Sequence, residues 1–187
     1  MVKRKTCIFI SGQGSNLKNL IRNSRDNNFP IKISLVICDN KKAYGIKYAK
    51  QHKVPYIFVN SKIQNYENKI LFNLRKYNIS FICLAGYMKI ISNNLIKNYH
   101  KKIINVHPSL LPKFKGLNTF SRMLKNREIK AGCTVHYVNN KLDNGKTIVQ
   151  KSFFINPKDN LYTMKKKTQK LEYRAFPEAI IKIFSYI

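Results

Sequence analysis

Acidic residues are scarce: eight Asp and Glu stand against 36 Lys and Arg in 187 residues, a formal net charge of +28. Long hydrophobic runs are missing too. The apolar run that follows Met1-Val2-Lys3-Arg4-Lys5 is about five residues long, too short for a signal-peptide core or a membrane span, which predicts a soluble, cytoplasmic protein without membrane partners. Cysteine is limited to Cys7, Cys38, Cys83 and Cys133, with no C-x-x-C pair, and three of the four sit in apolar runs that read as strands. They are expected to be reduced core residues. His52, His100, His107 and His136 show no metal-ligand spacing with the cysteines or acids, so no metal is expected. Ser109 lacks a G-x-S-x-G setting, which leaves a covalent serine mechanism unsupported. No repeat, low-complexity linker or Pro/Gly-rich boundary divides the chain, and one domain over 1–187 is expected.

The charge invites a nucleic-acid reading. However, the 29 Lys, 22 Asn and 24 Ile are spread over every segment, and all three have A/T-rich codons. Only "MKKKTQK" at 164–170 is dense, and a binding surface should cluster its basic residues with interleaved aromatics. Drift in an A/T-rich genome accounts for this composition, and no specific nucleic-acid partner is expected.

What is present is an alternation of β-branched apolar runs with helical patterns. Strands are predicted at 6–10, 31–37, 55–59, 79–85 and 102–106, and helices at 15–25, 43–52, 66–78, near 93–99 and at about 118–126. That spacing argues for a doubly wound, mainly parallel α/β sheet of the Rossmann-like kind. From 131 the pattern changes: "AGCTVHYV" and "TIVQKSFFI" are joined by "NNKLDNGK", a hairpin with no room for a crossover helix, so antiparallel strands should end the sheet. A long helix is predicted over 159–186, with Asp159 and Asn160 as candidate caps.

Such sheets bind ligands at the carboxyl ends of their strands. Three features fall there. "SGQGSN" at 11–16 is a glycine-rich turn before a helix, which suits a phosphate, although Ser15 or Asn16 could simply cap that helix. In "IINVHPSLLPKFKG" at 103–116, Asn105 and His107 are two apart in a strand and should project to one side, just before Pro108. A histidine satisfied by nearby backbone is the alternative there. Asp143, in "KLDNGK", is one of few acids available to orient or charge His107, though Asp-Asn-Gly is also ordinary turn chemistry. An amide, an imidazole and a carboxylate around an open cleft suit oxyanion stabilisation and proton movement in acyl transfer.

"ISGQGSNL", "LAGYMKIIS" at 84–92, "INVHPSLLPKFKGL" at 104–117 and "GCTVHYVNNKLDNG" at 132–145, in this order, resemble the phosphoribosylglycinamide formyltransferases of purine synthesis over essentially the whole chain. The resemblance implies the formyltransferase fold, with 10-formyltetrahydrofolate as donor and the amine of glycinamide ribonucleotide as acceptor. It implies that Asn105 bonds the developing oxyanion, that protonated His107 donates a proton, and that Asp143 holds His107 charged and oriented. Gly14, Ser15 and Asn16 would take the phosphate, and Glu172 would contact the ribonucleotide. Met88, Lys89, Ile90 and Ile91 would wall the folate site, with Val138, Asn139, Asn140, Lys141 and Leu142 on its hairpin side. A monomer or homodimer is expected.

The chain departs from the family pattern at several positions. It has Asn144 in place of a glycine, Asn118 and Phe120 where histidines are common, Tyr173 after Glu172 in place of the usual histidine, and Lys62 beside Ile63 where an arginine often contacts folate. The Asn-x-His-Pro-Ser-Leu-Leu-Pro block is shared with methionyl-tRNA formyltransferases and formyltetrahydrofolate deformylases. Those families resemble this core joined to a further domain, so they rank second.

Overall fold

The computed structural model describes residues 2–60 and 62–185. Thirteen elements follow one another: β1 (Arg4–Ile10), α1 (Ser15–Ser24), β2 (Ile31–Cys38), α2 (Ile46–Gln51), β3 (Tyr56–Phe58), α3 (Tyr66–Lys76), β4 (Phe81–Leu84), α4 (Asn93–Asn98), β5 (Ile103–His107), α5 (Thr119–Lys125), β6 (Lys130–Tyr137), β7 (Thr147–Phe154) and α6 (Leu161–Phe184). Strand order is β3-β2-β1-β4-β5-β6-β7. The first βα repeats are parallel and the β6–β7 hairpin is antiparallel, so the expected doubly wound, mainly parallel sheet with an antiparallel end is the observed one.

The backbone divides into two units, Met1–Ile104 and Asn105–Ile187, with the division inside β5. In the first unit β1 is central. Its last five residues are all buried because β2 and β4 flank it in parallel register, with Ile8 opposite both Val36 and Cys83. A strand covered on both faces needs apolar residues at every position, which is why "TCIFI" does not alternate. Helix α1 buries Leu17, Leu20 and Ile21, the face its spacing predicts, and α3 buries Ile70, Leu71 and Leu74. Cys7, Cys38 and Cys83 are buried free thiols, and burial pushes all three up in pKa, keeping them protonated.

Helix α2 is shorter than the expected 43–52. Residues 40–45 form turns instead, with the Ala43 N–H bonded to the Asn40 carbonyl, and the Gly45 N–H donates to the carbonyl of Gly12 at 3.0 Å. The local helical pattern is overridden by the packing of Gly45 against the β1–α1 loop.

In the second unit, β6 and β7 pair from Lys130↔Phe154 to His136↔Thr147, with a register shift at Val135/His136. Helix α6 packs on both strands. Met123, Ala131 and Met164 centre this core, and Phe114, Phe120, Leu124, Phe153 and Ile155 pack around them. The cap of α6 is Asn160: its side chain accepts from Thr163 N–H while the Thr163 hydroxyl accepts from Asn160 N–H. Asp159, the other candidate, instead accepts from Lys167 Nζ at 2.6 Å. The expected helix end at 186 lies outside the described residues.

Candidate active site

At the carboxyl end of β5, strand alternation sends Asn105 and His107 to the same side, and both meet Asp143 from the hairpin. Asn105 Nδ2 lies 3.5 Å from Asp143 Oδ1, and His107 Nδ1 lies 3.3 Å from Asp143 Oδ2. The Gly116 N–H donates to Oδ2 at 2.8 Å, and His107 Nε2 lies 2.9 Å from the Phe114 carbonyl. Only 8% of the His107 side chain and 7% of the Asp143 side chain are exposed, so these contacts operate in a low dielectric. The three residues expected to act together are therefore brought together.

Both ring nitrogens of His107 face acceptors, an arrangement fully satisfied only by an imidazolium. Burial acts against that charge and, helped by His136 and Arg122, outweighs Asp143 and the Phe114 carbonyl, leaving the His107 pKa below its ordinary 6.5. The resemblance implies a charged ring, and burial disfavours that charge in the ligand-free chain. A proton placed on the ring is oriented by two acceptors and readily given up. For Asp143 burial raises the carboxyl, but the neighbouring His136, the bond from the Gly116 amide and the His107 ring together prevail and hold it below its usual range. It is ionised at neutral pH.

His136 belongs to this cluster and was assigned no role from the sequence. Its Nδ1 donates to the Tyr137 carbonyl at 2.8 Å, which leaves Nε2 to accept from Asn105 Nδ2 at 3.3 Å, with Asp143 Oδ1 3.6 Å away. The register with β7 shifts by one residue at Val135/His136, where the ring leaves the strand. The signal in sequence is parity: His136 shares a strand face with Thr134, a face with two polar side chains in a buried strand. Thr134 donates to the Ser109 carbonyl at 2.6 Å and accepts from the Leu111 N–H and from Gln150. Ser109 itself donates to the Lys113 carbonyl at 2.7 Å, a bracing role for the loop after Pro108.

In the first unit the 11–16 turn leads into the N-terminus of α1. Gly14 is the N-cap residue, at φ 69°, so neither Ser15 nor Asn16 is the cap. A Cβ at Gly14 would strike the Gly45 backbone, so the left-handed turn and the close approach both require glycine. No side chain caps this helix end. Ser11 ties this loop to the next: its N–H donates to the Gly86 carbonyl at 3.2 Å, and its hydroxyl accepts from the Met88 N–H at 2.8 Å. Met88, Lys89 and Ile90 are exposed, Met88 by 66% and Ile90 by 78%, whereas Ile91 is buried. Two large apolar side chains are thus left in water on one short loop.

In the second unit the hairpin loop carries half-buried Val138 and exposed Asn139, Asn140, Lys141 and Leu142. Asn139 shapes it, accepting from the Lys141 N–H at 3.0 Å and donating to the Asn144 carbonyl at 3.3 Å. Glu172 is half-buried on α6, and its charge adds to burial in pushing the Cys133 thiol on β6 up to about 12. Among the described residues, no group of three His, Cys, Asp or Glu is arranged to hold a metal ion, and no helix is long and apolar enough to cross a membrane.

The formyl transferase family matches residues 4–180. The chain belongs to that family. It is 36% identical over 186 residues to the phosphoribosylglycinamide formyltransferase of Haemophilus influenzae, covering 97% of this chain and 87% of that one. It is also 36% identical over 183 residues to the enzyme of the same name from Bacillus subtilis, covering 95% and 93%. The crystal structure of phosphoribosylglycinamide formyltransferase from Bacillus halodurans superposes with a TM-score of 0.93 at 32% identity, over 97% of this chain and 96% of that one.

Within this formyl transferase the departures have structural counterparts. Asn144 accepts a hydrogen bond from Lys115 Nζ. Asn118 is the N-cap residue of α5 in the left-handed region, at φ 56°, and Phe120 packs into the second unit's core. Lys62 is exposed.

Proposed function

We propose that this chain transfers the formyl group of 10-formyltetrahydrofolate to the amine of glycinamide ribonucleotide in purine biosynthesis, in the cytoplasm, as a monomer or homodimer. The observation that carries the chemistry is the convergence of Asn105 and His107 on a buried, ionised Asp143. When the amine attacks the formyl carbon, the carbonyl oxygen gains negative charge. Asn105 Nδ2 has two hydrogens; one goes to His136, and the other meets Asp143 at 3.5 Å, the outer limit of a hydrogen bond, so it is weakly held and can turn to the oxygen. His107, carrying a proton, supplies a second donor once its Nε2–H is exchanged from the Phe114 carbonyl, 2.9 Å away, to that oxygen. The new C–N bond costs the amine one proton, and the departing nitrogen of the folate takes one up. His107, with Asp143 beside it, is the group able to hold that proton between the two events.

The remaining roles rest on chemistry rather than contact. The Gly14-Ser15-Asn16 turn takes the phosphate at the helix N-terminus, and Glu172 takes the ribonucleotide. Met88 to Ile91, with Val138 to Leu142, wall the folate. An assay of formyl transfer to glycinamide ribonucleotide, initiator tRNA and water tests the reading. Rapid transfer to the ribonucleotide alone is expected. Preference for the tRNA would make it a methionyl-tRNA enzyme, and preference for water a deformylase. Ser15→Asp should raise the KM for the ribonucleotide far more than that for the folate, because it places negative charge where the phosphate sits.

A further inference from the structure

Residues 114–117 make a turn that bonds both members of the proton-handling pair: the Phe114 carbonyl meets His107, and the Gly116 N–H meets Asp143. Phe114 sits at φ 56° and Gly116 at φ 76°, two left-handed conformations within three residues. For phenylalanine that conformation is strained and persists only if the surroundings hold it. The surroundings are on α5. Arg122 Nη1 donates to the Lys115 carbonyl at 2.6 Å and lies 3.4 Å from the Leu117 carbonyl, while its guanidinium sits 5.5 Å over the Phe114 ring. Met123, the next residue, is buried in the core and anchors the helix. Lys115, inside the same turn, bonds Asn144, next to Asp143.

We propose that Arg122 is a positioning residue for the His107–Asp143 pair: its guanidinium holds the 114–117 turn in the shape that presents one carbonyl to the imidazole and one amide to the carboxylate. This rests on the function proposed above. Arg122 is exposed, and the effect lies in geometry: Nη1 reaches both carbonyls while the planar guanidinium lies over the Phe114 ring, a combination a lysine cannot reproduce.

Two variants test it, R122A and R122K, the second keeping the positive charge. In each, kcat for formyl transfer should fall by about tenfold, within the ~10²-fold that a 1 Å misplacement can cost. KM for both substrates should stay within about twofold, because the interaction lost is one of alignment. Amide exchange at Gly116 in the ligand-free chain should accelerate in both. Unchanged Gly116 exchange overturns the proposal, as does faster exchange with wild-type kcat, or a loss confined to KM. A wild-type chain unable to formylate the ribonucleotide would count against the proposed function instead, while Gly116 exchange would still report on whether Arg122 holds the turn.

Discussion

Asn105 and His107 both reach Asp143, but they bring different capacities to it. Asn105 is a neutral donor held by His136, and His107 is a titratable one held by a carbonyl and a carboxylate. Losing a donor to a developing oxyanion typically costs about 10²–10³ in kcat. Asn105→Ala and His107→Ala should each show that loss with little change in ligand affinity, and the double variant should lose less than the two effects multiplied, because residues acting as a unit are non-additive. Near-full turnover in His107→Ala, with early melting, would mean the ring is a packing residue.

The same histidine predicts a pH effect on stability. Its folded pKa lies below the ordinary 6.5, so between those values the unfolded chain binds more protons than the folded one. Stability from this group is complete above 6.5 and is lost as pH falls through the folded value. The melting temperature should therefore drop from pH 7 toward pH 5, and His107→Gln should flatten that slope. An equally steep slope in the variant would locate the titration elsewhere.

The β6–β7 hairpin is the element that assembles the cluster, carrying His136 on its strand and Asp143 in its turn. Gly145 is where that turn closes. A Cβ there would collide with the Tyr137 carbonyl, which leaves the loop no room for a side chain. Gly145→Ala should destabilise the chain by about 1–3 kcal/mol, as overpacking does, read as a lower denaturant midpoint, and kcat should fall with it because Asp143 is two residues away. An unchanged midpoint would mean the turn adapts by backbone movement. The hairpin's existence was legible from "NNKLDNGK", but its register shift was not. Alternation places Thr134 and His136 on one face, yet a one-residue bulge depends on how the partner strand pairs. The start of α2 departs from the local pattern for a similar reason. Gly45 reads locally as part of a helix, and its bond to the Gly12 carbonyl is a long-range contact.

For the molecule as a whole, the +28 charge should attract anions without selecting one, since the lysines are dispersed. Binding to generic duplex DNA is expected to vanish near physiological salt as counterion release weakens. Sub-micromolar binding selective for tRNA at that salt would contradict this. The sequence by itself determined the order of strands and helices, the faces that α1 buries, the antiparallel end of the sheet, and the candidacy of Asn105, His107 and Asp143. These follow from periodicity, from residue type and from spacing along one segment. Only the tertiary structure decided that His136 holds Asn105, that Arg122 grips the turn between His107 and Asp143, and that burial lowers the histidine's pKa while its neighbours lower the aspartate's. Each of these depends on which groups from distant segments share a dry volume, and a linear pattern does not carry that information.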